Sequence, residues 1–88
     1  MKAKVKVKQK LPKWFRGELY EEGETVRNRF SGEEYELNNV ELSMYDLVMG
    51  CCIMTEQGSR DTQLITDLRK GLDWFRMNNA EAYMVLLD

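Results

Sequence analysis

Hydrophobic and polar positions alternate over the opening MKAKVKVKQK, where Lys2, Lys4, Lys6, Lys8 and Lys10 are separated by Ala3, Val5, Val7 and Gln9. A period of two is the pattern of a strand with one wet and one buried face. It predicts a strand over Lys4–Lys10, with Val5 and Val7 facing apolar partners and the lysines facing solvent or an acidic surface. Pro12 lacks a backbone donor and interrupts a ladder there. The aromatic-rich stretch Trp14–Tyr20 suits a second strand. Glu21-Glu22-Gly23-Glu24 reads as a turn, Thr25–Phe30 as a third strand, Ser31-Gly32 as another turn and Glu33–Leu37 as a short fourth strand. Residues 2–37 are therefore expected to be mainly β, an antiparallel meander of three to four strands. Such a sheet needs cover on its apolar face.

Helical spacing takes over after residue 38. Asn38 stands three places before Glu41, the arrangement that satisfies orphan amides at a helix start. Asn78-Asn79-Ala80-Glu81 repeats the signal, with flanks that share nothing else, so it is cap chemistry and not an internal repeat. From Glu41 to Glu56 the run Leu42, Met44, Tyr45, Leu47, Val48, Met49, Cys51, Cys52, Ile53 and Met54 leaves almost no polar face, which predicts a central helix. Gly58 ends it. A second helix is expected from Ser59 or Asp61 to Met77, with Leu64, Ile65, Leu68, Leu72 and Phe75 as its apolar stripe. Gly71 lies inside that helix, where glycine costs ~1 kcal/mol against alanine and so implies a close contact. A short last helix, Ala80–Leu87, is apolar enough to dock on the core or on a partner chain. The fold class is α+β: one domain, residues 1–88, with 39–88 mainly helical and covering the sheet with two to three helices.

Charge changes this picture at one end only. Residues 1–16 carry seven basic side chains and no acid. The rest holds six basic residues against all fifteen acids, a balance of −9. The opening is either a cationic device for phosphate or one of two oppositely charged parts that attract within or between chains. At 43% apolar and 32% charged residues the chain is an ordinary globular one rather than a disordered one. No run reaches the ~20 apolar residues of a membrane helix, and no apolar segment follows the opening lysines as a secretory signal requires. The adjacent Cys51 and Cys52 cannot staple distant segments, so a cytoplasmic, reducing setting is expected.

Chemistry is sparse. The chain has no histidine, which removes the commonest general base and metal ligand. Cys51-Cys52 could be metal ligands, reactive thiols or packing. Zinc needs four ligands in spaced pairs, and a thiol among methionines in mid-helix lacks the cationic neighbour that lowers its pKa, so packing is the expected role. Met44, Met49, Met54 and Met84 could form an adaptable binding surface, although core filling is the commoner use. Glu21, Glu22, Glu24, Glu33, Glu34 and Glu36 fall in turns and on exposed strand faces, not in a cleft that would split the pKa values of a catalytic pair. No phosphate-binding loop or nucleophile elbow occurs. No catalytic residue, cofactor or metal is expected, and the chain is read as a non-enzyme.

Three stretches carry a resemblance: GETVRNRFSGEEYEL (Gly23–Leu37), ELSMYDL (Glu41–Leu47) and KGLDWFRMNNAEAYM (Lys70–Met84). They resemble a family of small proteins from tailed phages of marine cyanobacteria and from marine metagenomes, a family with no assigned activity. The likeness covers about residues 17–88 and leaves out the lysine-rich opening. It implies a viral origin and the cytoplasm of an infected bacterium, and it transfers no functional residue.

Two functions fit these readings. The first is a self-associating interaction module that binds a host or viral protein, with Met49, Tyr83, Val85 and Leu86 as the subunit interface, supported by apolar residues in excess of what a small sheet can cover. The second is a nucleic-acid accessory that sets Lys4, Lys6, Lys8, Lys10, Lys13 and Arg16 on phosphates and stacks Trp14 or Phe15 on a base. The acidic remainder would repel the same polyanion, so the first is preferred.

Overall fold

The computed structural model describes residues 9–15 and 17–87. In chain order they form strand β1 (Glu24–Arg27), strand β2 (Glu34–Leu37), helix α1 (Asn39–Glu56), helix α2 (Thr62–Asn78) and a short α3 (Ala80–Ala82), which widens into π-type turns over Tyr83–Leu87. The fold is α+β as expected, but among the described residues the sheet has two strands, not three to four. β1 and β2 pair antiparallel with Val26 opposite Tyr35 and Glu24 opposite Leu37.

The differences have physical causes. Of the expected strand Lys4–Lys10, residues 4–8 lie outside the described residues, and Gln9 and Lys10 are irregular. Of the expected strand Trp14–Tyr20, none of the described residues is in a strand. The Phe15 amide donates to the Pro12 carbonyl at 3.0 Å and closes a turn. Leu11, Trp14 and Phe15 then pack on the core as single side chains instead of alternating across a ladder. β1 stops at Arg27 because the Asn28 side chain captures the chain's own amides: its Oδ1 accepts from Phe30 N at 2.8 Å and Ser31 N at 3.2 Å. Gly32 completes the turn at φ +80°, a conformation open to glycine without strain.

α1 and α2 make the largest contact in the fold. Gly71 is the reason they approach so closely, since a Cβ there would lie 2.5 Å from Val48 Cγ2. Around that point Leu37, Val40, Met44, Val48, Trp74, Phe75, Ala82 and Leu86 form the core, with Trp74 edge-on to Phe75 at 5.2 Å. The buried face of α2 is thus Asp67, Gly71, Trp74 and Phe75. Of the expected stripe only Phe75 is fully inside, while Leu64, Leu68 and Leu72 are half-buried and Ile65 is exposed. The glycine sets which face turns inward.

Both cap signals operate, and they meet. Asn38 Oδ1 accepts from Glu41 N at 2.8 Å, and Glu41 Oε1 accepts from Asn38 N at 3.0 Å, a complete capping box. The second oxygen of Glu41, a side chain only 4% exposed, accepts from Gln9 Nε2 at 2.9 Å and Asn79 Nδ2 at 2.8 Å. Asn79, not Asn78, caps α3, with its Oδ1 accepting from Ala82 N at 3.1 Å. The Tyr35 hydroxyl reaches the same knot, donating to Glu81 Oε1 at 3.0 Å. Among the described residues no buried side-chain nitrogen or oxygen is left without a partner.

Candidate interaction site

A groove of about 530 Å³ runs between β1 and the outward face of α1. Glu24 and Val26 form one wall and Leu42, Tyr45 and Asp46 of α1 the other, and Tyr20–Gly23 closes one end. The loop is fixed in place there: Tyr20 N donates to Ser43 Oγ at 2.9 Å, and Asn39 Nδ2 donates to the Tyr20 carbonyl at 3.4 Å. The floor is apolar and the rim is acidic, with Glu21, Glu22, Glu24 and Asp46 all exposed. Desolvation pushes the Tyr20 phenol up, and the negative charge of Asp46 pushes it further the same way. Burial also pushes the Tyr45 phenol up, opposed by the Arg29 charge.

The edge of β1 borders this groove. Asn28 N donates to the Glu33 carbonyl at 2.8 Å. In an antiparallel pair backbone groups point inward and outward alternately. Val26 and Glu24 therefore turn their backbone groups toward β2, and Thr25 and Arg27 turn theirs to the outer side. Among the described residues no strand lies there.

At the far end of β1 the turn presents Phe30, 85% exposed. The backbone that carries it is fixed. Asn28 is buried and its Nδ2 donates to the Val85 carbonyl at 2.9 Å, fixing the turn to the π segment. Arg29 lies 4.8 Å from the Phe30 ring centroid and is held by both oxygens of Glu56, at 2.6 Å for Oε2. That ion pair raises the Arg29 pKa further. Other large apolar groups left in solvent are Met77, Met84, Leu19, Ile53 and Met54. A second groove of about 480 Å³ follows the outer face of α2, lined by Ile65, Leu68 and Leu72 among others.

The residues named from sequence are placed unevenly. Lys4, Lys6, Lys8 and Arg16 lie outside the described residues. Lys10 and Lys13 are exposed. Trp14 is half-buried against the core and one face carries the Lys70 ammonium 5.6 Å from the ring centroid, so that face is not open for stacking on a base. Of the four interface candidates, Met49 is half-buried. Tyr83 is half-buried and accepts from Arg76 Nη2 at 2.8 Å, Val85 packs on the core, and Leu86 is 6% exposed inside its own chain. The last segment thus docks internally, and Met84, 67% exposed, is the side chain it leaves outside. The methionines split accordingly: Met44 fills the core and Met54 and Met84 do not. Cys51 is buried and its thiol is pushed up by burial first and by the Asp67 charge second, while Cys52 is half-buried. Among the described residues no cluster of three or more cysteine or carboxylate groups could hold a metal ion, and no helix is long and apolar enough to cross a membrane.

Sequence reasoning missed Phe30 as a surface feature because it counted the residue into a strand. The signal was present: Asn28 followed by Ser31-Gly32 is turn chemistry. The groove was missed for another reason, since Tyr20–Gly23 and α1 meet only in the folded chain. Comparisons with protein-family models, curated proteins and solved structures find no match to this chain.

Proposed function

We propose that the protein is a non-enzymatic, self-associating interaction module. One observation carries the reading: a phenylalanine 85% exposed on a turn whose geometry is fixed by a buried asparagine, an ion pair and a glycine. Aromatic side chains held rigidly in solvent lose little entropy when a partner covers them, and they dominate the energetics of many interfaces. Met84, Ile53 and Met54 are exposed as well, and the α2 groove adds Ile65, Leu68 and Leu72. The resemblance to small phage proteins makes the cytoplasm of an infected bacterium the setting of this reading, with a host or viral protein as a further partner.

Sedimentation velocity on the full chain and on Phe30→Ser tests it. The expected result is a concentration-dependent particle larger than a monomer for the parent, and a shift of at least tenfold in midpoint concentration for the variant. A parent that stays monomeric to millimolar concentration would overturn the reading, and retention of that monomer on heparin at low salt, lost on changing Lys10 and Lys13 to glutamine, would replace it with the nucleic-acid function.

A further inference from the structure

We infer that the groove between β1 and α1 receives the lysine-alternating segment, residues 2–8, of a second copy of this chain; this rests on the self-association proposed above and names the segment and the surface through which it acts. Three observations meet there. The groove has an apolar floor, Val26, Leu42 and Tyr45, beneath a rim of exposed carboxylates, Glu21, Glu22 and Asp46. The segment has the complementary pattern, Ala3, Val5 and Val7 on one side of an extended chain and four lysines on the other. The bordering edge of β1 turns the backbone groups of Thr25 and Arg27 outward, the template on which an extended peptide adds as a strand.

Charge decides the class of occupant. With +7 in residues 1–16 and −9 in the remainder, two copies attract when the opening of one meets the body of the other. The valines then lie on the floor and the lysines stand at the mouth, where flexible four-carbon stems reach carboxylates on either bank. Seven extended residues span roughly 23 Å, longer than the four residues of β1. The chain's own segment starts from a different place. Gln9 is held by Asn38, Glu41 and the Asn78 carbonyl, at the junction of α1 with the end of α2, and none of these residues lines the groove.

The contact is head-to-tail, so complementation reads it directly. The segment variant carries K4Q, K6Q and K8Q; the groove variant carries E21Q, E22Q and D46N. Each substituted groove position is exposed, and melting curves are recorded to check that both variants fold. Each variant alone should associate at least tenfold more weakly than the parent in sedimentation at 50 mM salt, and the parent should weaken similarly at 500 mM. An equimolar mixture of the two should recover association, because one copy supplies an intact segment and the other an intact groove. Association undiminished in both variants would overturn the inference while leaving the Phe30 surface as the interface. Lower melting temperatures in both variants, with no rescue on mixing, would place the segment within its own chain and equally overturn it. Loss of heparin binding in the segment variant with association unchanged would assign the lysines to a polyanion instead.

Discussion

The two ends of α1 differ in how they are finished. At the first turn, Glu41 is almost wholly buried and accepts hydrogen bonds from three separate stretches of chain, through Asn38, Gln9 and Asn79. At the last turn, Ile53 and Met54 are exposed, Glu56 is spent on an ion pair in solvent with Arg29, and Phe30 stands beside that pair. The first end closes the fold, and the polar groups of its knot are satisfied within the chain. The second end leaves apolar surface that the described residues do not cover. An 88-residue chain has a thin core, and a knot of polar groups can close one end of it without hydrophobic area. A buried carboxylate is tolerable there only because each oxygen is occupied.

Breaking the closed end should have the largest effect. Glu41→Ala removes the acceptor for three donors at once and should cost about 2–4 kcal/mol, visible as a melting temperature lower by more than about 10 °C. Asn38→Ala should cost less, because Glu41 keeps its bonds to Gln9 and Asn79. Next comes the helix contact that joins the ends. Gly71→Ala drives a methyl group into Val48 and should cost about 1–3 kcal/mol, less up to 1 kcal/mol of helix propensity. Combined with Val48→Ala, the two changes should cost less than their sum in chemical denaturation.

A pH titration sharpens the same contrast by a smaller amount. Burial, and behind it the Glu81 carboxylate, holds the Tyr35 phenol above its ordinary value, so the neutral phenol is favoured in the folded state. A group with a raised folded pKa contributes stability that is full below its unfolded value of about 10 and is lost as pH rises through the folded one. Denaturation midpoints should therefore fall above about pH 10, and Tyr35→Phe should flatten that fall. The smallest effect on stability belongs to the open end: Phe30→Ser should change it by no more than about 0.5 kcal/mol while weakening association, as measured by the sedimentation midpoint.

The helices were legible because their punctuation is local. Asn38 with Glu41, Asp61 before Gln63, and Gly58 at φ +97° mark boundaries within four residues of themselves. The sheet was over-read where aromatic content stood in for pattern. Trp14 and Phe15 are hydrophobic because they cover the core, not because they alternate across a strand. The orientation of α2 was half legible: Gly71 announced a close contact, but only the folded chain shows that this contact turns Trp74 inward and Ile65 outward. The polar knot was not legible at all, since Asn38-Glu41 and Asn79 are local motifs whose shared use of one carboxylate depends on tertiary structure. The groove has the same origin.

Hydrogen exchange measured across protein concentration compares the two ends in one experiment. Amides around Asn38–Glu41 should exchange slowly at every concentration from micromolar to millimolar. Amides of Thr25 and Arg27 on the β1 edge, and those of the Phe30 turn, should exchange fast in dilute solution and become protected as concentration rises. Exchange at β1 and at the Phe30 turn that is independent of concentration over that whole range would contradict the account, for the open end would then have no partner among copies of this chain.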